Sequence, residues 1–394
     1  LIKSPARRVS GSIFTDYLIH LAVGYEHSFA LSSATGMLDE AQLMLFRSDL
    51  SALGELSTLD SADISRMTMQ RSRELNSRSR YARDDISVMS TAAWGGTEPK
   101  PMPHNKEAMS AEAALQPPAE GEWPAWSYGE KGMRGEYAAD EVLEEIYISL
   151  TESDNWKSAA QDLFNLFASS GTGVLLRSRT LECRTDGQRA WLEEAAQNEC
   201  AVQLSCQEKA RQTLGEQVIA FMRGTKPSCV LIYGPEAMGK ATLARAMADE
   251  FPELRLIQAC PMNGAEIRSL FAYLGAQPLR FMLLMENADT YSPAWRALLN
   301  ECTGAAVPQN VMCVATSSSA AGFAGFPVRI GLENMELDAF AKTAEELSAA
   351  RAPYIDTDAA WIRNAAVDYQ LDPHDEFNVS SASLIAARFI AAHE

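Results

Sequence analysis

The chain has no Cys-x-x-C pair, no clustering of cysteine with histidine, and no apolar run approaching transmembrane length. Its seven cysteines, an odd number, are scattered at 183, 200, 206, 229, 260, 302 and 313. That spread indicates neither a zinc site nor a disulfide framework, and a reducing, cytoplasmic compartment is the natural expectation. Cys229 and Cys313 fall in stretches read as strands, where a free thiol is a small apolar residue. The five histidines (His20, His27, His104, His374, His393) are dispersed, and none pairs with a cysteine or serine in a catalytic arrangement. Positive charge is scarce as well. With 34 Lys and Arg against 52 Asp and Glu, the net charge of −18 argues against wholesale wrapping of nucleic acid. No membrane span is expected. The chain opens on Leu1 instead of Met, which leaves its natural start and any targeting peptide open.

What is present is a phosphate-loop pattern. The apolar run Cys229–Tyr233 reads as a buried strand, followed by Gly234-Pro235-Glu236-Ala237-Met238-Gly239-Lys240 and then a helix from Ala241. The two glycines let the backbone turn tightly enough to aim N–H groups at a phosphate. Lys240 adds a point charge, and the helix contributes its positive N-terminal end. One position departs from the pattern. Ser or Thr is wanted directly after the lysine to hold Mg²⁺, but here Ala241 follows and Thr242 comes one step late.

A length of 394 residues allows two or three domains. Residues 1–90 read as a helical N-terminal region, with Ile13, Phe14, Tyr17, Leu18 and Leu21 in helical period. Residues 91–130 change to a Pro- and Gly-rich linker or long loop carrying Trp94, Trp123 and Trp126, which are expected to anchor it to its own domain. Helical periodicity returns over 131–205. From about Cys206 strands alternate with helices: helix 207–223, then strands at 229–233, 254–258, 281–285, 311–316 and 328–332, with helices between them. This predicts an α/β domain over 206–335 built on a parallel five-stranded sheet. Ser292-Pro293 starts one of its helices as an N-cap with proline at the first helical position. Helices at 336–350, 357–369 and 381–392 close the chain as a separate helical lid over 336–394.

Five strands, a P-loop after the first and a terminal helical lid resemble an AAA+-type P-loop NTPase. More closely, residues 206–394 resemble a bacterial AAA+ ATPase family known only as an ATP-binding domain of unknown function. The stretches that carry this are 226–247, 278–289, 310–319, 326–335 and 382–390. The resemblance implies ATP or ADP as ligand, and it assigns roles by position. Gly234 to Thr242 and Arg329 would bind the nucleotide. The family's third strand ends in two acidic residues, for Mg²⁺ and for polarising water, and here they are Glu286 and Asn287. Glu286 is thus the metal candidate, while Asn287 cannot accept a proton. Ser318 stands at the sensor position, where the family has asparagine. The two arginines that follow it in the family, finger candidates for a neighbouring subunit, are absent from Ala315-Thr316-Ser317-Ser318-Ser319-Ala320. The lid's sensor arginine aligns with Leu384, and Arg388 lies about a turn away.

Phosphoryl transfer is mostly positioning and charge neutralisation, and an arginine finger alone is worth ~10³–10⁵ in rate. The substitutions together predict nucleotide binding with weak or absent hydrolysis, and they place Mg²⁺ in doubt. Three functions stay open: a remodeller coupling nucleotide to conformational change, a catalytically dead scaffold, and a nucleic-acid-associated loader. The loader would use Arg66, Arg71, Arg73, Arg78, Arg80 and Arg83. Near Glu74, Asp84 and Asp85, an exposed ion-paired helix is the favoured reading of those arginines, so nucleic acid is not the favoured partner. The expected partner is a protein client of unknown identity, and both a homo-oligomer and a monomer remain open.

Overall fold

A computed structural model describes residues 10, 12–59, 62–63, 66–75, 140–153, 155–195, 202–225, 229–304, 306–370 and 376–393. The chain divides into two compact units. One comprises Leu1–Ala22, Met44–Glu136 and Glu144–Ala160; the other comprises Val23–Leu43, Tyr137–Leu143 and Gln161–Glu394. The 91–130 linker, its three tryptophans, and Arg78, Arg80 and Arg83 lie outside the described residues.

The described elements of the first unit are helical: most of α1 (Ile13–Gly24) and α3 (Glu40–Ser57), a helical stretch over 66–75 and most of α4 (Asp140–Glu152), followed by a 3-10 turn at Trp156–Ala159. Leu18, Ile19, Phe46, Leu50, Ile146, Leu150 and Trp156 are buried, as the helical period of apolar residues requires. Arg66 pairs with Asp63 and Arg71 with Glu74, each at 2.9 Å and three residues apart on an exposed helical surface.

The second unit carries α2 (Ser28–Ala34), α5 (Ala160–Ser170), the short α6 (Val174–Arg177) and a seven-stranded sheet. The strands are β1 (Thr180–Thr185), β2 (Ala190–Glu194), β3 (Val230–Tyr233), β4 (Leu254–Gln258), β5 (Arg280–Met285), β6 (Val311–Ser317) and β7 (Val328–Gly331), in the order β2-β1-β4-β5-β6-β3-β7. All pairings are parallel except β1 with β2. The helices are α7 (Glu208–Met222), α8 (Lys240–Glu250), α9 (Gly264–Gly275), α10 (Pro293–Thr303), α11 (Leu337–Arg351), α12 (Ala359–Gln370) and α13 (Val379–His393).

Two expectations need correction. The sheet has seven strands instead of five, and the 131–205 region read as helical contains the β1–β2 hairpin. In Thr180-Leu-Glu-Cys-Arg-Thr, Leu181 and Cys183 alternate inward, which is a strand period. The reversal is built by Asp186, whose Oδ1 accepts from the N–H groups of Gln188 (3.0 Å) and Arg189 (2.9 Å), followed by Gly187 at φ +88°. Cys229 also sits one residue ahead of β3, its thiol donating to the Cys302 carbonyl at 2.8 Å.

Burial on both faces explains the near-continuous apolar strands. Val230, Ile232, Met282, Leu284, Met312 and Val314 enter one core, whereas Leu231, Phe281, Leu283, Met285, Val311 and Cys313 enter the other. The closing helices are not detached from the sheet. Phe340, Leu347, Ile362, Ile385 and Phe389 share the first of these cores with β3 and α8, because the apolar stripe of each helix has no other surface to cover.

Candidate functional site

The loop between β3 and α8 leaves the carboxyl end of the parallel sheet, where ligands bind in open α/β folds. Two of its turns require glycine. Gly234 has φ +147°, and a Cβ there would lie 2.2 Å from the carbonyl oxygen of Leu332, just past β7. Gly239 has φ +75° and forms the N-cap of α8, and a Cβ there would meet the Gln207 amide nitrogen at 2.7 Å. Ala237 also adopts a left-handed φ of +58°, a conformation that costs an ordinary residue about 1–2 kcal/mol.

The polarity of the loop is set by what its carbonyls touch. Lys240 Nζ donates to the carbonyls of Gly234 (2.8 Å) and Pro235 (2.5 Å). Gln207 Nε2 donates to the Met238 carbonyl at 2.6 Å, and the Ser380 amide, at the start of α13, donates to the Ala237 carbonyl at 3.3 Å. Gly239 accepts from the Leu243 amide at 2.8 Å. The amides from Glu236 to Thr242, by contrast, donate to no acceptor among the described residues. Donors thus occupy these carbonyls, and the free N–H groups include those that open α8, which has no side-chain cap. A run of unsatisfied amides at a helix start is an anion-binding concavity. Lys240 is almost wholly buried, and burial lowers its pKa from the usual lysine value, while the nearby Glu236 carboxylate opposes that shift.

The other sequence-derived residues separate into two groups. Glu286 and Asn287 follow β5 directly. Asn287 is exposed and left-handed at φ +48°, a conformation asparagine tolerates, and its amide donates to Thr316 Oγ1 at 2.9 Å. Ser318 is exposed just past β6. Arg329 points elsewhere: Nε donates to the Phe326 carbonyl (3.2 Å) and Nη2 to that of Phe323 (3.1 Å). Both carbonyls precede β7, at the opposite end of the sheet from the loop. Leu384 and Arg388 are both exposed on α13.

Three residues that the sequence reading did not single out complete the site. Gln207 and Ser380 hold the loop, and Arg245 on α8 forms an ion pair with Glu286. The oxygen donors that Mg²⁺ requires are therefore poorly supplied here. Ala241 has no hydroxyl, Thr242 is exposed, and the Glu286 carboxylate already has a guanidinium partner. The residues present fit an anion and do not fit the metal.

A strand, a loop of unbonded amides and a helix at the carboxyl end of a parallel sheet together have the layout of a P-loop α/β domain. Residues 184–320 match a family model described as "Protein of unknown function (DUF815)". No curated protein is significantly similar to the chain. Among solved structures, the chain is similar to the RuvB Holliday junction branch migration motor of Thermotoga maritima, at 16% identity over 48% of this chain and 61% of that one, with a TM-score of 0.36. A mutant of the same RuvB matches at 17% identity over 46% and 62%, TM-score 0.37. The Aeropyrum pernix ORC1 protein, solved in complex with DNA, matches at 15% identity over 48% and 66%, TM-score 0.32. The chain spans about three fifths to seven tenths of the RuvB chains it matches.

Proposed function

We propose that this chain is an AAA+-like protein that binds ATP or ADP in the loop from Gly234 to Thr242, with weak or no hydrolysis, and couples binding to movement of its closing helices. The observation that carries the reading is the split within the loop, whose carbonyls are held by Lys240, Gln207 and Ser380 while the amides of Glu236–Thr242 have no acceptor among the described residues. Those amides, the Lys240 charge and the N-terminus of α8 would hold the phosphates. Weak hydrolysis follows from the side chains around them: Asn287 cannot take a proton from water, and Ser318 is a short, exposed hydroxyl. The coupling rests on the Ser380 contact, since phosphate entering the loop disturbs the carbonyl that anchors the start of α13.

Titration with a fluorescent ATP analogue tests the reading. Native protein should bind, Lys240→Ala should lose most of the affinity while keeping its melting temperature within a few degrees, and phosphate release should stay near background. Equal binding by Lys240→Ala would place the nucleotide elsewhere. A catalytically dead scaffold is the second reading, favoured by the occupied carboxylate of Glu286, and it is the one to adopt if native protein binds no nucleotide. A nucleic-acid loader has less support, because Arg66 and Arg71 are already paired with acids. The protein client is unidentified, and light scattering with and without nucleotide decides between ring and single chain.

A further inference from the structure

We propose that Arg245 occupies the role of the metal ion in this site, so that nucleotide is held by main-chain amides, Lys240 and Arg245 without Mg²⁺, with Glu286 positioning the arginine. The inference rests on the nucleotide-binding reading above and identifies the cation that serves it.

The argument begins with helix geometry. Residues 241 and 245 lie four apart in α8, on one face and one above the other. Side chains in a helix lean toward its N-terminus, so a residue covers the surface of the turn before its own Cα. That lean would carry Arg245 over Ala241, the position from which a hydroxyl would reach a metal. Alanine leaves that path clear, and the guanidinium arrives at Glu286, the carboxylate that would face the ion from across the sheet. The missing hydroxyl and the paired acid are thus a single rearrangement.

The pair is poorly placed to yield to Mg²⁺. Arginine stays charged at any accessible pH, so it cannot leave by losing a proton. A divalent ion at Glu286 would face a fixed positive charge and would lack the octahedral oxygen set it demands. Both side chains are largely shielded, with 25% exposure for Arg245 and 31% for Glu286. One donor is still free. Arg245 Nε is buried and has no acceptor among the described residues. A buried guanidinium N–H without a partner is costly, and a turn of the side chain would offer it to an anionic oxygen beside Glu286.

The test is a titration of the full chain with a fluorescent ATP analogue, in millimolar Mg²⁺ and in EDTA. Native protein should bind with dissociation constants within about twofold of each other under the two conditions. Arg245→Met should weaken binding in EDTA by about tenfold or more, as loss of a charge-assisted contact predicts. The combined change Ala241→Ser with Arg245→Met, which restores a hydroxyl and frees Glu286, should make binding at least severalfold tighter with Mg²⁺ than without. If Arg245→Met unfolds because Glu286 is left unpaired, Arg245→Met with Glu286→Gln serves in its place. Native binding that is tenfold tighter in Mg²⁺ overturns the assignment while leaving the nucleotide site standing. Native binding in neither buffer, from protein with an intact melting transition, overturns both.

Discussion

Replacing Gly234 by alanine separates the roles of backbone shape and charge in the loop. The new Cβ would stand 2.2 Å from the Leu332 carbonyl oxygen, which is main chain and cannot rotate away. The residue would also be held at φ +147°, a conformation that costs a side-chain-bearing residue about 1–3 kcal/mol. Relieving the clash means moving the end of β7, and that breaks the Leu332 N–H bond to the Tyr233 carbonyl at 2.8 Å, worth about 1 kcal/mol. Together these give about 2–4 kcal/mol. In a unit of this size that lowers the melting temperature by roughly 4–16 °C. Gly36→Ala is the control, since Gly36 has φ +69° with nothing within 4 Å of an added Cβ. It should cost only the left-handed strain of about 1–2 kcal/mol and leave nucleotide binding untouched. Differential scanning fluorimetry and the ATP-analogue titration give both readouts. If Gly234→Ala melts within about 2 °C of native protein and binds equally well, the close approach of β7 to the loop is wrong.

Gln207→Ala removes the buried donor to the Met238 carbonyl and should destabilise by about 1–3 kcal/mol in urea unfolding, and a change under about 0.5 kcal/mol would remove Gln207 from the cradle. Asn263 caps α9 in a reciprocal capping box with Glu266, so Asn263→Ala should cost about 1–2 kcal/mol in the same assay; no change would mean that the cap carries no stability. The neighbouring Cys183 thiol brings Cys260 down to about 7, whereas burial pushes Cys206 up. Brief iodoacetamide labelling read by mass spectrometry should therefore rise at Cys260 as pH passes 7 and leave Cys206 largely unmodified. Cys183→Ala should move the Cys260 midpoint back toward the ordinary cysteine value, and an unmoved midpoint refutes the pairing.

The loop was legible in the sequence because strand, turn and helix start are contiguous and each imposes its own residue types. The strands from β3 to β7 were legible for the same reason, as short apolar runs bounded by turns. The β1–β2 hairpin escaped because its alternation is diluted by Glu182 and Arg184, which read equally well on a helix surface. The partners of the site escaped for a different reason. Gln207 reaches Met238 across 31 positions and Arg245 reaches Glu286 across 41, and no local pattern encodes such meetings. Half of the second contact was nonetheless available, since the four-residue step from Ala241 to Arg245 is helix arithmetic. Arg329 shows the converse limit, because its place in the sequence is unremarkable and only the carbonyls of Phe323 and Phe326 reveal which way it turns.

Gln207 lies ahead of β3 and Ser380 begins the last helix, yet both clasp the same short turn. An excised fragment limited to the strands and their connecting helices would keep every motif residue and still lose the two outer clamps. Its turn would be free to rotate its peptide planes, so such a truncation could retain the signature while forfeiting the grip.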